Sequence, residues 1–142
     1  MGKILCATRG GEASSRTQDA AIALAKERGD ALLFLYVVDL HFLDKTAAPL
    51  VVDVGNEVTK MGEFLLLMAQ ERAREAGVEA SLITREGDVR QQIKAAAVEE
   101  SVDLVVLGRP AEETSRFKLE ALRTFAVEIE EGTGIPAVIL ET

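Results

Sequence analysis

Tryptophan is absent from the 142-residue chain, and cysteine, histidine and tyrosine occur once each. A single cysteine, Cys6, excludes an intrachain disulfide and any site built from several thiolates. It lies in the first apolar run, where a small buried hydrophobe is its expected role. The one histidine, His41, stands in DLHFLDK beside Asp39 and Asp44. One imidazole with two carboxylates is a thin donor set for a metal, and His41 reads as a solvated loop residue. Positive charge is short too: 16 Lys and Arg face 24 Asp and Glu, for a net charge of -8 and a pI near 4.7. With aromatics at 4% and no basic stripe, nucleic-acid binding finds little support. No apolar run reaches the roughly 18 residues of a membrane helix. The opening MGKILCATRGG is too short in apolar residues for a secretory signal. The expectation is a cytoplasmic protein without membrane insertion, its acidity serving solubility.

What is present is the composition of an ordinary globule, 48% hydrophobic and 28% charged, at the length of one domain. KILCA, residues 3–7, reads as a buried strand. SSRTQDAAIALAKERG reads as a helix capped by Ser14 or Ser15 and ended by Gly29, with Thr17, Ala20, Ala21, Leu24 and Ala25 on one face. ALLFLYVV, 31–38, is a continuous apolar run and suits a parallel strand covered on both faces. Residues 39–53 keep no period and read as an irregular connection. A helix is expected from about Asn56 to Ala76, closed by Gly77, then a strand over VEASLIT, 78–84.

A third helix follows, with Gly87 as a turn, Asp88 as its cap and a stripe of Val89, Ile93, Ala96 and Ala97. DLVVL is a fourth strand, Leu122, Phe125, Ala126 and Ile129 mark a fourth helix, and GIPAVIL is a final strand. Strands alternating with helices predict an α/β fold: a single doubly wound domain over residues 1–142, with a five-stranded parallel sheet and helices on both faces.

In such a sheet, ligands bind beyond the carboxyl ends of the strands where the strand order reverses. The segments leaving those ends are TRGGEAS, DLHF, REGD and GRPAEETSR. The adjacent Gly10 and Gly11 form neither the spaced dinucleotide fingerprint nor the lysine-bearing phosphate loop, and read as a tight turn.

Taken together these segments resemble the universal stress protein family. KILCATRGGEASSRTQDAAIALA is similar to its opening strand, turn and helix, LLFLYVVD to its second strand, and GIPAVIL to its closing strand. The block REGDVRQQIKAAAVEESVDLVVLG is the most specific part. The resemblance implies an adenine nucleotide alpha hydrolase-like fold and homodimerisation, often through the last strand. Some members bind ATP through a Gly-x-x-Gly, nine residues, Gly-Ser/Thr pattern after the fourth strand. Here Gly108 matches the first glycine but Ala111 stands at the second. The later Gly-Ser/Thr falls on Ala121-Leu122 by forward spacing, or on Arg123-Thr124 when aligned back from Ile135-Pro136. Arg9 replaces the aspartate expected near the adenine, while Val37 keeps the position that faces the base.

The residue chemistry agrees. A side chain at position 111 puts carbon where a phosphate oxygen would sit, Pro110 removes an N–H donor, and Glu112 and Glu113 add negative charge. Against this, Arg9, Arg109 and Arg123, with Arg116, have heads suited to phosphate. They form either a rebuilt anion site or pairs with Glu12, Glu86, Glu112 or Glu113 that close the cleft. The cleft candidates are Arg9, Val37, Gly108, Arg109, Arg123 and Thr124, with no catalytic or metal-ligating residue and no cofactor.

The expected function is a non-enzymatic stress-response or regulatory protein without tight ATP binding, acting through dimer and protein-partner surfaces. The alternative is a sensor that binds an adenine nucleotide or another small anion through the arginines. One more segment points to assembly. EFLLLMAQ puts apolar residues all round a helix, more than one buried stripe needs. The surplus is covered either by residues 39–53 or by a second subunit.

Overall fold

The computed structural model describes residues 2–8, 12–38, 48–108 and 116–140. Strands and helices alternate as β1 (Lys3–Thr8), α1 (Glu12–Arg28), β2 (Ala31–Val38), α2 (Ala48–Glu75), β3 (Ala80–Glu86), α3 (Val89–Glu99), β4 (Leu104–Gly108), α4 (Arg116–Thr133) and β5 (Ala137–Leu140). The five strands form one sheet in the order β3-β2-β1-β4-β5. Every pair is parallel, with Lys3 opposite Ala31, Ile4 opposite Leu104, Leu32 opposite Ala80 and Val105 opposite Ala137.

Side chains alternate across a strand, and both sides of the inner strands are apolar, so each face needs a helical layer. On one face Ile4, Cys6, Phe34 and Val106 pack under Ala21 and Ala25 of α1 and Leu66 and Ala69 of α2. On the other, Leu5, Leu35 and Val105 pack under Ile93 and Ala97 of α3 and Phe125 and Ile129 of α4. The predicted doubly wound α/β sheet is the observed fold, and the apolar run of β2 is covered on both sides.

Local differences have local causes. α1 begins at Glu12, so Ser14 and Ser15 lie inside the helix instead of capping it. Glu12 and Ala13 extend it because alanine favours helix and an acid suits the positive N-terminal end. α2 begins at Ala48, so residues 48–53, expected to be irregular, are helical. Pro49 is tolerated in a first helical turn, where its missing N–H has no intrahelical partner to lose. The cover expected from the connection before it falls on residues 39–47, outside the described residues. In α3 the Asp88 carboxylate accepts from Gln91 N at 3.0 Å as the expected cap, and Ile93, Ala96 and Ala97 are buried. Val89 is exposed instead, because the first residue of the helix stands at the rim of the sheet.

Three helices end in the same way. Asp30 N donates to Ala25 O at 3.0 Å, Val78 N to Ala73 O at 2.9 Å and Val102 N to Ala97 O at 3.1 Å. The residue before each donor has a positive φ: Gly29 at 70°, Gly77 at 81° and Ser101 at 52°. Glycine takes that conformation freely and serine does not.

Ser101→Gly is expected to stabilise the protein by about 1 kcal/mol, measured by denaturant unfolding, with no change in fold. Cys6 is fully buried, and burial pushes its thiol up to about 12. Its contribution is complete below the ordinary thiol value and is lost as pH rises towards about 12, because only the unfolded chain ionises over that range. A thiol reagent at pH 8 should label Cys6 at the rate of unfolding and no faster.

Candidate functional site

Strand order reverses between β1 and β4. After β1 the chain enters α1 on one face, and after β4 it enters α4 on the other, which opens a crevice at the carboxyl ends of these two strands. Thr8 ends β1 and Gly108 ends β4, two residues beyond the paired Cys6 and Val106. The crevice is therefore floored by Thr8 and Gly108 and bounded by the beginnings of α1 and α4.

Gly108 has an internal reason to be glycine. A Cβ at this position would overlap Thr17 Oγ1 and stand 3.1 Å from Thr17 Cβ. Thr17 is buried on the first half of α1, so helix and strand end are in contact with no side chain between them. A second close approach flanks the site. A Cβ on Gly62 of α2 would overlap the Tyr36 ring near the end of β2.

Beside Thr17, Gln18 is buried on the same helix and its amide is used at both ends. Its Nε2 donates to Thr8 Oγ1 and its Oε1 accepts from Arg72 Nη2 of α2. Arg72 Nε donates to Asp19 Oδ1 at 2.9 Å. A buried amide without partners is destabilising, whereas one satisfied at both ends fixes the geometry of everything it touches. The network ties the end of β1 to α1 and α2. Sequence reasoning placed Thr17 on the inner face of α1 but missed Gln18 and Arg72. The available signal was a glutamine next to that threonine on a face otherwise made of alanine and leucine.

The other predicted positions are dispersed. Arg9 and Arg109 lie outside the described residues, as do Gly10, Gly11, Pro110, Ala111, Glu112, Glu113 and His41. Val37 is half-buried on β2, directed to the α3 and α4 layer, and pairs with Arg85 of β3. Arg85 reaches Gln92 and Glu99 of α3, and its Nε is buried without a hydrogen-bond partner. Arg123 and Thr124 are exposed on α4, two turns from its start at Arg116 and roughly 12 Å along the axis for Thr124. The Thr124 hydroxyl donates to Glu120 O of its own helix at 3.0 Å. It also borders an open groove on the outer surface of α3 and α4, with Arg90, Val127, Glu128, Glu131 and Gly132.

Among the described residues no group of three or more His, Cys, Asp or Glu side chains is placed to hold a metal ion. No helix among them is long and apolar enough to cross a membrane. The crevice floor offers hydroxyls, an amide and backbone, which suit binding or packing better than acid–base chemistry.

The universal stress protein family model matches residues 1–122. Universal stress protein YxiE of Bacillus subtilis is 34% identical over 122 residues, covering 75% of this chain and 77% of that protein. Universal stress protein UspA from Lactobacillus plantarum has a similar structure, with a TM-score of 0.81, 16% identity and coverage of 99% of this chain and 97% of that one. A universal stress protein family protein from Arabidopsis thaliana, solved with AMP bound, gives a TM-score of 0.68 at 16% identity, covering 99% and 91%. Both shared structures have the fold described above.

The contact between Gly108 and Thr17 is tested by a double-mutant cycle. Gly108→Ala should destabilise the protein by about 1–3 kcal/mol, as overpacking does. In a Thr17→Ala background the same change should lose at least half of that effect in denaturant unfolding, because the two side chains compete for one space.

Proposed function

The chain belongs to the universal stress protein family, and from that premise we propose that it is a non-enzymatic stress-response or regulatory protein that binds ATP weakly or not at all. It works as a cytoplasmic homodimer that presents surfaces to protein partners and needs no cofactor. The observation that carries this reading is Thr17 against Gly108. The glycine that resembles the nucleotide binders' first loop glycine has its missing side chain accounted for by helix packing. The rest of the binders' pattern is replaced by residues that hinder phosphate. Ala111 carries a Cβ, Pro110 has no N–H, and Glu112 and Glu113 repel a polyphosphate. In this reading Arg9 pairs with a neighbouring glutamate and closes the apo crevice.

A second reading is favoured by the AMP bound to the Arabidopsis thaliana protein. Under it the crevice holds an adenine nucleotide or another small anion, and Arg9 and Arg109 supply donors in place of glycine backbone, while Arg123, the third arginine of that expectation, stands two turns along α4. Val37 would remain the apolar wall for a base. Catalysis ranks below both, because His41 is the one histidine of the sequence and the sequence carries no catalytic motif.

Thermal unfolding with and without millimolar Mg-ATP, ADP and AMP separates these readings. A ligand at 100 times its dissociation constant stabilises a protein by about 2.7 kcal/mol, a rise in Tm of roughly 10 °C for a chain of this size. The expected result is no shift with any of the three in the natural sequence. The Ala111→Gly and Arg123→Gly double variant should likewise show no shift with Mg-ATP, because Thr17 and Gln18 still occupy the floor. A clear shift for the natural protein, abolished in that variant, would establish the sensor reading.

A further inference from the structure

Oxidants attack protein sulfur, and the described residues hold that element in two opposite settings. Cys6 lies on β1 beneath α1 and α2, fully buried, with its thiol pushed up to about 12. A thiol reacts through its thiolate, and Cys6 has neither the ionised form at neutral pH nor a path for the oxidant. Met68 of α2 is 47% exposed, and its thioether carries no proton that must first be lost.

The position of Met68 follows from the packing of its helix. Leu66, Ala69 and Ala73 are buried against the sheet. Successive residues of a helix are separated by about 100°, so Phe64, Leu67 and Met68 fall on the outer side. Phe64 is 62% exposed and Leu67 55%. Phe64 and Met68 are one turn apart and therefore neighbours on the helix surface. The three make an apolar patch, with the exposed Lys60, Glu63 and Glu71 around it.

We propose that Met68 is a site of reversible oxidation: its thioether takes one oxygen from a peroxide, and the sulfoxide makes the apolar patch polar while the fold stays intact. The sulfur lone pair attacks one peroxide oxygen, and the O–O bond breaks as the S–O bond forms. The attacked oxygen gives up its proton, the departing hydroxide takes one, and water is released. Sulfur loses two electrons and the peroxide gains them. The product is a polar, chiral side chain that disrupts a protein when it forms in a core. At Met68 it forms in solvent, and nothing buried has to move. Methionine sulfoxide reductases reverse the step, so the patch is switched and not consumed. The chemistry is independent of whether the crevice holds a nucleotide.

Treatment of the folded full chain with millimolar hydrogen peroxide at neutral pH tests this, read by fragment-ion mass spectrometry and by retention on a hydrophobic-interaction column. Met68 should gain one oxygen at least about tenfold faster than Cys6 is modified. The oxidised protein should elute earlier, with a melting temperature within about 2 °C of the untreated one. Methionine sulfoxide reductases should restore both the mass and the retention. Met68→Leu, treated in the same way, should keep its retention, which assigns the change to this sulfur and not to Met1 or Met61. A Met68 that stays unmodified in the native protein and oxidises only in denaturant is covered, and would overturn the proposal. Oxidation of Met68 that leaves retention unchanged, or that unfolds the protein, would overturn it as well.

Discussion

The approach of α1 to the ends of β1 and β4 is the constraint on which the crevice depends. A helix rests this low on a sheet only where the strand beneath it lacks a side chain. Gly108 supplies that absence, and Thr17 fills it. One turn of helix then does three things. Thr17 covers the end of β4, Gln18 binds Thr8 at the end of β1, and Gln18 with Asp19 holds Arg72 of α2. The same contacts that position the helix occupy polar groups at the point where the fold would otherwise present them to a ligand.

In a phosphate loop, glycine is needed because a ligand oxygen comes close to the backbone. At Gly108 of this chain the Thr17 side chain of a neighbouring helix comes close. The two causes leave the same letter in the sequence, and only the position of Thr17 separates them.

The fold was legible because its signals are redundant. Strand β2 was an unbroken apolar run, α3 had both a capping aspartate and a periodic stripe, and Gly29 and Gly77 marked two helix ends. The missed points were those with weak local signals. The start of α2 was hidden by Pro49 and the valines after it, which blur a helical period. Ser101 ends α3 in a conformation that glycine would have announced. The site was less legible than the fold. Its candidates came from loop residues and from a spacing rule, whereas the described contacts come from helix interiors. The letters TQD put a glutamine beside the inward-facing threonine, but they do not say that it will lie between a strand end and an arginine 54 positions away.

The central claim is that the crevice is filled by the protein's own packing. Its most direct test is a titration with Mg-ATP followed by amide NMR, reading Thr8, Gly108 and Val37. These signals are expected to stay in place up to millimolar nucleotide. Saturable movement of all three would contradict it, since a ligand would then occupy the floor assigned here to Thr17 and Gln18.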